Sequence, residues 1–153
     1  MILLNGVFDR SAEERSAVLA RVDQVRAGDM ARSAESAVER WFTPEFRAKA
    51  PDRVNAVWQT VLANDVPSFV AAYHVFATAD GELAPEVDRI RCPALVLTGS
   101  DDRRSTPEMA KRLAARLPRG RAALLSDQRH MTPIEVPDLL ARHIREFTAD
   151  TSL

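Results

Sequence analysis

The sequence predicts an α/β fold: a short parallel sheet of about three strands, interrupted by a large helical insertion. Three observations carry that expectation. Apolar runs that end in turn residues occur at positions 2–5, 94–98 and 121–126, the pattern of strands buried on both faces. Gly99-Ser100-Asp101-Asp102 follows the second run, and Ser105-Thr106-Pro107 then opens a helical pattern, so a strand, a loop and a capped helix follow one another. Between Val7 and Ala84 only helical periodicity is found.

Ile2-Leu3-Leu4 is an apolar run stopped by Asn5-Gly6, and a buried strand is predicted there. Ser11 with Glu14 forms a capping box, and Val18, Val22 and Val25 repeat at helical spacing until Ala27-Gly28. A second helix is predicted over about 29–41, with Ala34, Val38 and Trp41 on one face. Thr43-Pro44 places a cap residue before proline at a helix start. From Pro51, the stripe Val54, Val57, Trp58, Val61 and Leu62 follows an i, i+3, i+4, i+7, i+8 pattern. Phe69, Ala72, Tyr73 and Phe76 make the next stripe, and Asp80-Gly81 is expected to be a turn. The aromatics of this segment are expected chiefly to pack its helices together.

Connections in compact domains are usually a few residues long, so residues 11–86 are expected to form a cap over the edge of a core built from 1–10 and 87–153. After the strand at 94–98, Met109, Ala110, Leu113, Ala114 and Leu117 share one helix face. Leu124-Leu125 centres the last strand, and Pro137 starts a final helix with Leu140, Ile144 and Phe147 inward.

The chain has 153 residues, a net charge of −1, 46% hydrophobic and 28% charged residues. One domain's worth of core follows from that length, and nothing in the charge suggests nucleic acid or an anionic membrane as partner. The opening apolar run is too short to span a bilayer and lacks a basic flank. A single cysteine permits no internal disulfide and suits a reducing compartment, so a cytoplasmic location is expected. No pair of His, Cys, Asp or Glu has metal-ligand spacing, no glycine loop suits a phosphate, and no cofactor is expected.

The chemistry-bearing residues are Asp102 and His130. Asp102 lies four residues past Thr98, and His130 four past Ser126. If their strands are parallel neighbours, both fall at the C-terminal edge of the sheet, where open α/β sheets bind ligands. An aspartate on histidine Nδ1–H would fix the tautomer and stabilise the imidazolium. Asp101 is the rival acid, read here as a loop carboxylate or turn-former. Cys92 precedes Pro93 at the opposite end of its strand and is expected to be a buried structural thiol. His74 and His143 read as surface or partly packed residues. Arg103 and Arg104 read as a solvated face, or as partners for a substrate carboxylate.

Gly99-Ser100-Asp101-Asp102, Ser105-Thr106-Pro107 and Arg129-His130-Met131-Thr132-Pro133-Ile134-Glu135-Val136-Pro137 together resemble the C-terminal part of an α/β-hydrolase. Residues 1–42, ending in Arg40-Trp41-Phe42, resemble the last strand before the cap and the cap itself in 3-oxoadipate enol-lactonase-like members. The resemblance implies hydrolysis of an ester, an enol-lactone or a C–C bond in a small metabolite. It implies Asp102 and His130 as catalytic acid and base, and Trp41 and Phe42 as substrate-binding residues. The family places a small residue before this histidine; here it is Arg129. It also needs a serine in G-x-S-x-G on a strand-to-helix turn, and no serine of this chain lies in such a motif. Only about half of the family's domain is covered, so the nucleophile would have to come from elsewhere. The expected partners are a small-molecule substrate, and a second chain or a second copy at the open sheet edge near Ile2-Leu3-Leu4. The alternative is a non-catalytic ligand-binding or oligomerising remnant of the same fold.

Overall fold

The computed structural model describes residues 1–150. In chain order the elements are β1 (Ile2–Leu4), α1 (Ala12–Arg26), α2 (Met30–Trp41), α3 (Pro44–Lys49), α4 (Pro51–Leu62) and α5 (Val66–Leu83). A 3-10 segment (Ala84–Arg89) follows, then β2 (Ala94–Gly99), α6 (Pro107–Arg116), β3 (Gly120–Leu125), α7 (Thr132–Glu135) and α8 (Pro137–Asp150). The chain divides into two compact units. One joins Met1–Phe8 to the residues from Ala84 onward, and the other is Asp9–Leu83.

The first unit is built on a three-stranded parallel sheet in the order β1-β2-β3. β2 is central, and each of its six residues is buried, as expected for a parallel strand covered on both faces. Alternation along β2 divides the core. Ala94 and Val96 pack with Met109, Ala110, Leu113 and Leu117 of the α6 region. Leu95 and Leu97 pack with Leu125 and with Leu140 and Phe147 of α8. Thr106 caps α6 by accepting from Met109 N–H, and Pro107 occupies its first turn.

Both outer strands are less buried, but they differ in kind. β3 carries Arg121 and exposes Arg121 and Ala122, in the way natural edges are kept from pairing. β1 is Ile-Leu-Leu, half-buried throughout, without charge or proline.

The second unit is wholly helical. Ser11 accepts from Glu14 N–H while the Glu14 carboxylate accepts from Ser11 N–H, the expected capping box. Thr43 caps α3 by accepting from Phe46 N–H. Two expectations fail here. Asp80-Gly81 is not a turn, because α5 continues through it to Leu83. The buried Asp80 carboxylate accepts from Arg10 N–H at 2.8 Å and from Arg10 Nη1 at 3.0 Å, a tertiary anchor that outweighs the weak local helix preference of Asp-Gly. The aromatics also do not fill the interior. Only Phe42 is fully buried, and α5 buries Ala77 and Asp80 rather than its aromatic stripe. Phe69, Tyr73 and Phe76 instead stack along the helix flank, with centroids 5.1 and 5.4 Å apart, and the Arg10 guanidinium covers Phe76 at 4.3 Å.

Cys92 is exposed, contrary to expectation. It lies in the bend before β2 proper, outside the layers that bury the strand. No helix among the described residues is long and apolar enough to cross a membrane.

Candidate active site

The acid loop begins where β2 ends. Asp102 N–H donates to Gly99 carbonyl at 3.2 Å, which folds the chain back on itself. Asp102 is 4% exposed. Its Oδ1 accepts from Arg104 N–H at 2.9 Å and Ser105 N–H at 3.0 Å, so the side chain organises its own loop. Its Oδ2 lies 2.7 Å from His130 Nδ1. A carboxylate accepts at that contact, which puts the proton on Nδ1 and the basic lone pair of the neutral imidazole on Nε2.

The histidine loop is laid directly against the end of β2. Asp101 N–H donates to Gln128 carbonyl at 2.9 Å, and Ser100 N–H to Leu125 carbonyl at 2.9 Å. A Cβ on Gly99 would stand 2.2 Å from the Gln128 oxygen and 2.3 Å from the Arg129 oxygen. Glycine is required there by the close approach of two backbones. Asp127 turns this loop in the left-handed region, at φ 57°, and its N–H donates to Ser100 Oγ at 2.8 Å.

The equal-offset argument reaches the correct edge through an incorrect register. Thr98 is paired with Leu124, not Ser126. Asp102 is thus four residues beyond the common level and His130 six. The turn at Ser126-Asp127, closed by Gln128 N–H on the Leu125 carbonyl at 3.3 Å, takes up the difference.

Asn5 is the residue sequence reasoning missed. Its N–H continues the ladder to Leu97 carbonyl at 2.8 Å, and its backbone is left-handed at φ 48°, a conformation asparagine tolerates. Its carbonyl accepts from Ser105 Oγ at 2.6 Å, and its Nδ2 donates to the His130 carbonyl. One residue at the end of β1 thereby holds the acid loop and the histidine loop together. Its signal in the sequence is the Asn-Gly pair that closes the strand.

The remaining predicted residues fall as follows. Asp101 is exposed and accepts from Ser100 Oγ at 3.0 Å. Ser105 is buried, with its hydroxyl committed to Asn5, and Thr106 rather than Ser105 caps α6. Asp101, Asp102, Arg103, Thr106, Glu108 and Arg129 are among the residues around a 380 Å³ cavity beside the acid loop. Trp41 and Phe42 belong to the helical unit. Trp41 is half-buried at the end of α2, and Phe42 is fully buried and stacked on Phe46 at 5.6 Å. That unit has an open 740 Å³ cavity bordered by Arg32, Glu35, Arg47, Val54 and Trp58, among others, but by neither Trp41 nor Phe42. Among the described residues, no group of three or more His, Cys, Asp or Glu is placed to hold a metal.

No family model matches the chain. It is 34% identical over 152 residues, 99% of its length, to the (E)-2-((N-methylformamido)methylene)succinate hydrolase of Acinetobacter baylyi, and covers 56% of that protein. The enol-lactonase from Burkholderia xenovorans superposes over 97% of the chain with a TM-score of 0.85 and 25% identity, and 55% of that enzyme is covered. The chain carries the C-terminal half of an α/β-hydrolase fold. A thermophilic esterase from Thermogutta terrifontis agrees, with a TM-score of 0.82 over 99% of the chain and 56% of the esterase, at 23% identity. The 3-oxoadipate enol-lactonase 2 of A. baylyi is 30% identical over 89 residues, covering 58% of the chain and 31% of that enzyme. This α/β-hydrolase half therefore matches between 31% and 56% of the length of these relatives.

Proposed function

We propose that this α/β-hydrolase half supplies the acid and base of a serine hydrolase acting on an ester or enol-lactone of a small carboxylate-bearing metabolite. The observation behind the reading is the 2.7 Å contact between the buried Asp102 and His130 at the end of a parallel sheet. In this reading Asp102 holds Nδ1–H, and His130 Nε2 takes the proton of an attacking serine. His130 then returns that proton to the leaving alcohol or enol oxygen, and activates the water that releases the acyl group. The serine is not among the residues of this chain that meet the motif, so it comes from the complementary half of the fold. The substrate class rests on the relatives. One hydrolyses a succinate derivative, two are enol-lactonases, and the Thermogutta esterase was solved with malate bound.

The test is a chimera in which residues 1–153 replace the matched part of the Acinetobacter succinate-derivative hydrolase, assayed on activated esters and enol-lactones. The chimera turns these over, and His130→Ala lowers kcat by about 10³-fold or more. A folded chimera that is inert, or one indifferent to His130→Ala, overturns the reading. It would leave the rival, a non-catalytic binding or self-associating remnant of the fold.

A further inference from the structure

Helix capping does not account for the hydroxyl of Ser105, because Thr106 caps α6. Ser105 is 2% exposed, and burying a hydroxyl is unfavourable unless it is hydrogen-bonded. Here every polar group of the residue is engaged. Its N–H donates to Asp102 Oδ1 at 3.0 Å, its Oγ donates to the Asn5 carbonyl at 2.6 Å, and its carbonyl accepts from Thr98 Oγ1 at 2.7 Å.

These bonds belong to a closed ring. The Asn5 carbonyl meets Ser105 Oγ, Ser105 N–H meets Asp102 Oδ1, Asp102 Oδ2 meets His130 Nδ1 at 2.7 Å, and the His130 carbonyl returns to Asn5 Nδ2. The ring is fastened to β2 at two places, by Asn5 N–H on the Leu97 carbonyl and by Thr98 Oγ1 on the Ser105 carbonyl. Its effect on the pair is direct. The amides of Arg104 and Ser105 hold Oδ1 of the acid, which aims Oδ2 at the imidazole. The Asn5 amide holds the backbone from which that imidazole projects.

We infer that Asn5 and Ser105 are positioning residues for the acid–base pair, and that the closed ring, not the Asp102–His130 contact by itself, keeps the proton of the neutral imidazole on Nδ1. The tautomer of a histidine is set by the bond its other nitrogen makes, and that bond is only as well aligned as the two backbones beneath it. Ser105 Oγ–H is donated to a carbonyl, so the hydroxyl positions and does not attack. A ring opened at one bond is already open, so a second cut adds little, whereas independent contacts would add their effects. The consequence for catalysis rests on the proposed hydrolase reading; the consequence for the tautomer does not.

The test reads the imidazole nitrogen shifts of His130 in the full 153-residue chain, labelled with nitrogen-15 and held at a pH where the ring is neutral. His130→Ala assigns the signals. Wild type shows the Nδ1–H tautomer. Ser105→Ala removes the hydroxyl, and Asn5→Gly removes the amide while keeping the left-handed backbone, φ 48°. Each lowers the ratio of Nδ1–H to Nε2–H by about tenfold, the equivalent of one hydrogen bond, and the double variant shows the same ratio as either single one. Circular dichroism identifies the folded variants, and either single variant suffices for the first result. A folded variant with the wild-type tautomer overturns the inference, as does a double variant in which the losses multiply to about a hundredfold. In the chimera the same substitutions lower kcat by about tenfold and leave KM unchanged. A loss of about 10³-fold from Ser105→Ala would make its hydroxyl a reacting group and overturn the positioning role. Shifted tautomers beside an inert chimera leave the ring standing and count against the hydrolase reading. An active chimera indifferent to both substitutions, with an unchanged tautomer, does the reverse.

Discussion

Asp80→Ala is the sharpest test of what holds the helical unit together. Arg10 and Asp80 stand at the two ends of that unit, with side chains 3% and 5% exposed. The Asp80 carboxylate accepts from the Arg10 backbone at 2.8 Å and the guanidinium at 3.0 Å, and Arg15 lies 3.9 Å away. Alanine removes every one of these acceptors and leaves a guanidinium buried against Phe76, with the Phe76 carbonyl at 2.7 Å as its remaining partner. Breaking one side of a buried pair costs about 3–5 kcal/mol, a large share of the roughly 5–15 kcal/mol that holds a domain folded. Replacing both partners removes the uncompensated charge but leaves the residue-10 N–H without its acceptor, so Arg10→Met/Asp80→Leu recovers part of the loss. Urea unfolding followed by far-ultraviolet circular dichroism measures all three proteins. A single variant within about 1 kcal/mol of wild type would refute the reasoning, since that is the size of an exposed pair. A double variant as unstable as the single one would also refute it.

Two other outcomes follow from the geometry. Gly99→Ala drives a methyl group into the Gln128 and Arg129 carbonyls; both are backbone atoms, so the histidine loop must move, at a cost of about 1–3 kcal/mol. The low-field Nδ1 proton of His130 should disappear from the spectrum, and its persistence unchanged would count against Gly99 as the packing point. Asp88 is held below the usual carboxylate range by its hydrogen bond to Arg116, with contacts of 2.9 and 3.1 Å. A folded value below the unfolded one stabilises above the unfolded value and is lost as pH falls through the folded one. Arg116→Met should return the Asp88 titration, followed by carboxyl NMR, toward the ordinary range.

The sheet was legible because its strands are short apolar runs with turn residues at their ends, and α6 because Thr106-Pro107 and the Met109–Leu117 stripe agree. The helical unit was legible in its caps and in most of its boundaries. Its interior was not, since stripe periodicity says which residues share a face but not which face a neighbour covers. On α5 a buried ion pair decides that, and it joins residues 70 positions apart. The same limit applied to Cys92, whose burial depends on where the strand begins in space. Pattern singled out Asp102 and His130, whose side chains the structure brings within 2.7 Å, but not the residue that joins their loops.

That residue ties the Asp102–His130 contact to β1 as well as to β2 and β3. Asp102 arises from the end of β2 and His130 from the loop after β3, and a two-stranded unit would contain both. The 2.7 Å contact requires the histidine loop to stay near the acid loop, although it is six residues beyond the paired level and the acid only four. Gly99 permits the approach, and Asp127 supplies the turn. Neither pulls the loops together from the far side. Asn5 does, through Ser105 Oγ on one loop and the His130 carbonyl on the other, and it is held in place by its own ladder bond to Leu97. The Asp102–His130 contact is therefore coupled to the seating of β1.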